Sequence, residues 1–413
     1  MKYKYSLFEV FGVEMEYMIV DRATLNVKPL ADRLIESVEG AVVSETEQGA
    51  LAWCNELVKH VIELKTNGPA SGFAELPALF QNDVRRINSL LERFDACLLP
   101  TAMHPWMDPY KETQLWDHEY SIIYETFNKI FDCRGHGWAN LQSTHLNLPF
   151  GDDEEFGRLH ASIRAVLPLL PVLAASSPVM DKKVTGTLDN RLSVYRSNAK
   201  KIPSVSGKVI PEPCYTEADY RNILLQKIYD DIAPFDPDGI LQDEWLNARG
   251  AIARFDRGAI EIRVLDLQEF PGADIAILEF VVVVIRALCQ NRWIEIQKVM
   301  LLDTDMLSNM LTLTTKLGGE TEIDYPEFTA CFGVDGPIKA EALWQKLYNE
   351  LADEIWDKNS KGREHIRLIL SEGNLSQRIT RALGPDPDSK KLLKTYDKLR
   401  ICLHEGYAFH SSQ

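Results

Sequence analysis

The sequence predicts an α+β protein: one sheet carrying a layer of helices, followed by a helical C-terminal region. Three observations lead there. Several separated segments repeat apolar residues with a period of two, as strands do. Longer segments between them carry helical spacing. From about Leu301 onward the chain is mostly helix with charged faces, with no internal repeat and no low-complexity stretch. Helices gathered on one sheet in this way make an α+β domain.

The first strand spans residues 11–20. Phe11, Val13, Met15, Tyr17 and Ile19 fall on one face, and Gly12, Glu14 and Glu16 on the other. Two carboxylates about 7 Å apart on one sheet face repel each other and gain nothing from burial. A solvated outer face explains the pair as well as a bound cation does. A divalent cation with a preference for carboxylate oxygen, magnesium above all, fits between them. A short helix follows over 30–38, and strands over 41–47 and 57–65, the latter ending at the turn signal Thr66-Asn-Gly-Pro69. Residues 73–98 have helical spacing and should pack on the apolar back of the sheet. A buried strand over 98–103 leads into His104-Pro-Trp-Met-Asp-Pro109, a loop pinned by prolines.

Helix is expected over 119–130, strand over 138–148, and a long apolar helix over 154–177, bent near Pro168 or Pro171. Residues 181–213 are polar and rich in Arg, Lys, Ser and Asn, and read as a long functional or mobile loop. Then come a helix over 217–232, a strand pair over 251–267 and a helix over 274–300. Four helices follow over 339–357, 362–370, 375–383 and 389–404. The division expected is 1–300 for the catalytic sheet and its helices, and 301–413 for a helical region packed on the same domain.

With 413 residues, a formal net charge of −16 and a pI near 5.1, the chain lacks the basic balance of a nucleic-acid or anionic-membrane binder. A nucleotide ligand remains compatible, because a few local cations override a global charge. The seven cysteines are scattered and form no Cys-x-x-Cys pair, the pattern of reduced thiols. The chain enters a strand almost at once, so no secretory signal is expected. The apolar run at 275–285 is interrupted by Glu279 and followed by Arg286, and reads as a buried helix. A soluble, cytoplasmic protein is expected, without nucleic-acid or membrane partners.

Three further strands repeat the logic of the first. Glu63 and Lys65 share a face; so do Ser143, His145 and Asn147; and so do Glu261 and Arg263, with Arg254 and the turn Asp256-Arg-Gly258 just upstream. Singly, each has an ordinary explanation. A strand histidine is usually a hydrogen-bonded core residue, and a Glu-x-Arg pair a surface ion pair contributing roughly 0–1 kcal/mol. Stacked in one sheet, they gather four carboxylates and a histidine on one face, which structure alone gives little reason for. The metal-site reading is preferred.

Gly12-Val-Glu-Met-Glu16, the Glu63 strand with its Thr66-Asn-Gly-Pro69 turn, His104-Pro105, Thr144-His145, Tyr195-Arg196 and Ile260-Glu-Ile-Arg263 resemble the second family of glutamate–cysteine ligases. These are carboxylate–amine ligases of the glutamine synthetase superfamily. The resemblance runs in order to about Leu288 and extends to Glu372-Gly-Asn-Leu-Ser-Gln-Arg378. It implies a curved antiparallel sheet forming a funnel, with ATP entering one end and amino acids the other. It implies that Glu16 and Glu63 hold one magnesium, and Glu14, His145 and Glu261 a second, with manganese able to substitute. Arg263 would contact the transferring phosphate, and Arg196 a substrate carboxylate, with Arg191 close by. His145 and Asn147, with Arg254 and Arg263, would meet the nucleotide. Many relatives read His-x-His where this chain has His145-Leu-Asn147.

The implied reaction joins the γ-carboxylate of glutamate to the amine of cysteine through an acyl phosphate, an early step towards glutathione. The 181–213 loop would shield that intermediate. A ligase with another amine acceptor is the near alternative; a two-metal hydrolase and a non-catalytic nucleotide binder are more distant ones. His104 either touches substrate or orients its loop. The resemblance further suggests a homodimer.

Overall fold

One antiparallel sheet of eight strands organises the protein, in a computed structural model that describes residues 2–411. Its strands are β1 (Gly12–Asp21), β2 (Glu45–Gln48), β3 (Leu51–Asn55), β4 (Val61–Thr66), β5 (Ala96–Leu99) and β6 (Ser143–Pro149), then β9 (Ala251–Arg254) and β10 (Ala259–Asp266). Between them, the two-residue strands β7 (Val179–Met180) and β8 (Lys183–Val184) make a separate hairpin. The order is β2-β3-β4-β1-β6-β10-β9, with β5 pairing the far end of β1. β1 is therefore central. Its register sets Glu14 opposite Lys65 on β4 and His145 on β6, and Glu16 opposite Glu63.

The alternation read in β1 explains its layers. Val13, Met15, Tyr17 and Ile19 are fully buried on the back of the sheet. Against that back pack Phe80, Val84, Ile87 and Leu91 of the helix Leu76–Leu91. The helix Pro271–Cys289 is apolar nearly all round because it is covered all round. It packs on Leu76–Leu91, on Asp153–Val166 and on the C-terminal helices Ala340–Ile355 and Lys361–Glu372. Asp153–Val166 begins on an Asp152 cap and passes through a 3₁₀ turn at Leu167–Leu169 into Leu170–Ala174, so both prolines act as breaks. The span Asp153–Ala174 is long and apolar enough to cross a membrane by composition, but here it is core.

Several boundaries differ from the sequence reading. β3 was not anticipated, since five consecutive buried residues show no period. The second strand starts at Glu45, and β4 at Val61 after a loop that carries Glu56. The helix expected over 73–98 ends at Leu91; a 3₁₀ turn and Asp95, at φ 51°, reverse the chain into β5. A short helix, His136–Ala139, precedes β6. The 274–300 helix breaks after Cys289, where Asn291 has φ 59°, and resumes as Ile296–Met300.

The largest correction concerns 181–213. It holds the helix Asn190–Tyr195 and buries Ala199, Ile202, Val205, Val209 and Ile210. It is packed structure, and its apolar residues were masked by the polar turns between them. The C-terminal region adds the helices Thr304–Leu317, Leu375–Leu383 and Ser389–Glu405, and a small hairpin of β11 (Glu322–Ile323) and β12 (Ile338–Lys339). Ser389–Glu405 docks through Gln81 Nε2, which donates to the Leu403 carbonyl at 2.8 Å.

Candidate active site

The front of the sheet gathers the carboxylates that alternation assigned to it. Glu14, His145 and Glu261 bring ligand atoms within 4.8 Å of one another, and so do Glu16, Glu63 and His145. Histidine 145 is the shared member. Its Nδ1 lies 2.9 Å from Glu14 Oε2 and 3.7 Å from Glu261 Oε1, and its Nε2 lies 3.7 Å from Glu16 Oε1. Ser143 fixes the neighbouring carboxylate, donating to Glu16 Oε2 from its backbone N–H at 2.7 Å and its hydroxyl at 2.9 Å. Asn147 Nδ2 donates to Glu14 Oε1 at 3.0 Å. Gly12 is required beside it: a Cβ there would stand 2.9 Å from Asn147 Cβ.

A bulge in β10 sharpens the arrangement. The register shifts between Ile262 and Leu265, so one extra residue is inserted at Arg263–Val264. Arg263 remains on the front, with Nε 3.0 Å from Glu261 Oε1. Arg254 reaches within 4.0 Å of Glu261 Oε2 and pairs with Asp256 at 3.1 Å.

The electrostatics are those of crowded acids. Burial works against the charge of Glu14, but the hydrogen bond and charge of His145, together with Lys65 and Arg257, outweigh it and hold the carboxyl at about 2. Burial likewise opposes the charged imidazole, and the surrounding Glu14, Glu16 and Glu261 raise it. Glu63 is pushed well above the usual range by burial and then by Glu14 and Glu56. Glu56 is pushed up to about 8 by burial and by Glu16. Such a set, mostly oxygen with one imidazole, suits a hard divalent cation, whose charge would let every carboxyl ionise. Magnesium fits this donor set; manganese fits it equally well, since it accepts the nitrogen.

These residues floor a cleft of about 350 Å³. Lys65, Arg191 and Arg263 line it with Arg254 and Arg257, which lie at the β9–β10 turn. Phe127, Trp138, Tyr195 and Trp245 wall it. A larger cavity of about 530 Å³, among Val172, Glu341, Glu372 and Arg381, contains none of the three-ligand groups found among the described residues. A third such group, Asp32, Asp117 and His118, already pairs with Lys59, 2.6 Å from Asp117 and 3.4 Å from Asp32.

The structure thus brings Glu14, Glu16, Glu63, His145, Asn147, Arg254, Glu261 and Arg263 together. It does not bring Arg196, whose guanidinium turns away to the Ser308 hydroxyl at 3.1 Å. Arg191 is in the cleft instead. It is held by the Arg263 carbonyl at 2.7 Å and by Asp266 at 3.3 Å, and its Nε is buried without a partner. Five residues, about 1.4 helical turns, separate the two arginines and turn them to different faces, and sequence pattern alone could not choose the inward one. His104 orients its loop: Nε2 is 2.7 Å from the Leu25 carbonyl, and the residue is buried away from the cleft. Glu56 was missed. It sits in the bend before β4, where no periodicity marks it.

The model of glutamate–cysteine ligase family 2 matches residues 10–393. An uncharacterised protein of Archaeoglobus fulgidus is 31% identical over 400 residues, covering 97% of this chain and 100% of that protein. A protein of Bradyrhizobium sp. (strain ORS 278), provisionally assigned as glutamate–cysteine ligase 2, is 28% identical over 193 residues, 45% of this chain and 42% of that one. Among solved structures, the glutamate–cysteine ligase of Francisella tularensis in complex with AMP superposes with a TM-score of 0.61 at 14% identity, covering 98% and 90% of the two chains. A bifunctional glutathione synthetase from Pasteurella multocida gives 0.52 at 15% identity, covering 96% of this chain and 52% of that one. At those identities the likeness is one of fold.

Proposed function

Since this chain belongs to glutamate–cysteine ligase family 2 and is a carboxylate–amine ligase of that kind, we propose that it condenses the γ-carboxylate of glutamate with the amine of an acceptor, cysteine or another amine, at the expense of ATP. The observation that supports this most is the pair of three-ligand sets sharing His145, with Arg263 hydrogen-bonded to their Glu261. On this reading the sheet curves into a funnel open at both ends, ATP entering at the Lys65–Arg254–Arg257 end.

An amide does not form from a carboxylate and an amine in water without activation. A carboxylate oxygen attacks the γ-phosphorus, the bond to the β-phosphate bridging oxygen breaks, and ADP leaves. The amine nitrogen then attacks the acyl phosphate carbon, loses its proton, and inorganic phosphate departs as the C–N bond is kept. Phosphoryl transfer asks the protein for positioning and charge neutralisation more than for covalent help. Arg263 presents its guanidinium to the transferring group, while Glu261 fixes its direction. Arg191, with a donor to spare, takes the substrate carboxylate, the role expected of Arg196. Asn147 and Ser143 hold Glu14 and Glu16 in their rotamers. Magnesium, when held by Glu14, His145 and Glu261 and by Glu16 and Glu63 with Glu56 beside them, supplies the positive charge that offsets the phosphoryl oxygens.

The test is phosphate release from ATP with magnesium, glutamate and cysteine. Release that needs both amino acids supports the ligase; release from ATP alone would instead indicate a hydrolase. Release with glutamate and a different amine keeps the mechanism and changes the acceptor.

A further inference from the structure

The two ends of the cleft differ in chemistry. Lys65, opposite Glu14 in register, and Arg254, opposite Ala259, lie towards the β9–β10 turn, where polyphosphate charge is best met. The other end sets an apolar surface beside Glu56 and Arg191. Trp138 and Leu141 lead into β6, and Leu57 and Val58 precede β4, so all four stand beyond Glu16. Phe127 completes this surface, with its ring centroid 5.6 Å from Trp138 and 5.8 Å from Trp245. Trp138 is itself stacked on Phe131 at 5.3 Å, and its indole N–H is already given to the Asn198 carbonyl at 3.2 Å. The ring faces are fixed, and their polar edge is spent.

We infer that the acceptor amine carries an apolar side chain of branched-aliphatic or aromatic size, which lies on the Phe127–Trp138 surface. This rests on the ligase reading of the cleft and names the class of its second substrate. A cysteine side chain has one heavy atom beyond Cβ and would leave most of that surface wet. A larger apolar group would cover it, with ring faces available for offset or edge-to-face contact. Discrimination in apolar pockets runs at about 10–200-fold per methylene, so the preference should be measurable. Phe127 suits a test because it is only partly buried, on a helix, Ser121–Phe131, whose buried residues are Thr126 and Ile130, and Phe127→Leu keeps an apolar side chain against Trp138 and Trp245.

The experiment measures kcat/KM with ATP, magnesium and glutamate for methylamine, cysteine, leucine, phenylalanine and 2-phenylethylamine. At least one bulky apolar amine should exceed cysteine by tenfold or more. Phe127→Ala should lower its kcat/KM at least tenfold, mainly through the amine KM. KM for ATP and glutamate should stay within twofold, and Phe127→Leu should recover most of the loss. Cysteine as best acceptor, with Phe127→Ala affecting all amines alike, overturns the inference and leaves the ligase standing. A raised KM for ATP also overturns it, by making the aromatic wall a base-stacking site. Absence of glutamate-dependent phosphate release with every amine defeats the ligase reading itself, and this inference with it.

Discussion

At the residue scale, the site is a problem of like charges solved by neighbours. Glu14 remains ionised because His145 lies 2.9 Å away and Lys65 and Arg257 add positive charge, while Glu56 and Glu63 are driven towards their neutral forms. Glu14→Gln should therefore keep the fold, lower turnover by about a hundredfold or more and weaken the magnesium dependence. Turnover near wild type would remove Glu14 from the site. The raised carboxyls also give a pH signature. Their folded-state values exceed the unfolded ones, so the metal-free folded protein binds more protons, and its stability falls as pH rises from about 4.5 towards 8. Magnesium opposes this, since it binds the ionised forms. Thermal melting should show stabilisation by magnesium that is larger at pH 8 than at pH 5.5, reaching ~2.7 kcal/mol at a hundredfold excess over Kd. Equal stabilisation at both values would mean that these carboxyls are not the ligands.

At the scale of elements, the strands that carry the site are held from outside the sheet. The helix over 217–232 contains a π-helical turn, Tyr220–Leu225. Tyr220, at its start, accepts from Asn247 Nδ2 at 2.8 Å and from the Ala253 N–H of β9 at 3.0 Å. Asn247 in turn accepts from Arg249, which pairs with Glu212, so β9 and Arg254 are tied to the 204–212 segment. Tyr220→Phe leaves two buried donors without an acceptor. Denaturant unfolding should show a loss of ~1–3 kcal/mol; an unchanged midpoint would mean that water replaces the hydroxyl. The bulge at Arg263–Val264 is a second device of this kind, a one-residue insertion that re-aims an arginine beside a carboxylate.

At the scale of the molecule, the C-terminal helices are fastened to the site-bearing part by charge in a dry place. Arg378 and Glu269 are both fully buried and 2.8 Å apart, and Arg378 also donates to the Phe409 carbonyl. Burial opposes the charge of Glu269, yet Arg378 and His365 keep its carboxyl below the usual range, so its contribution is lost as pH falls through its folded value. Arg378→Met should cost ~3–5 kcal/mol by stranding a buried carboxylate, and adding Glu269→Leu should recover much of it. If the double variant is no more stable than the single one, the pair fixes geometry that no apolar contact replaces.

The sequence by itself determined the strand faces. Period-two alternation requires Glu14 with Glu16, Glu63 with Lys65, His145 with Asn147, and Glu261 with Arg263 to share a side, whatever the strands pair with, and the order of these motifs carried the family. It also determined most helices, because a stripe of apolar residues has to be buried. Pairing order, register and turns were decided only by the tertiary structure. They made His145 the member common to both ligand sets, turned Arg191 inward and Arg196 towards Ser308, and brought Glu56 to the cleft from a bend with no periodicity. The same holds for 181–213, where apolar residues spaced by turns became core, and for the aromatic wall, assembled from three segments distant in the chain. Local patterns are fixed by the geometry of a few consecutive bonds. Which distant groups become neighbours is fixed by the packing of the whole chain.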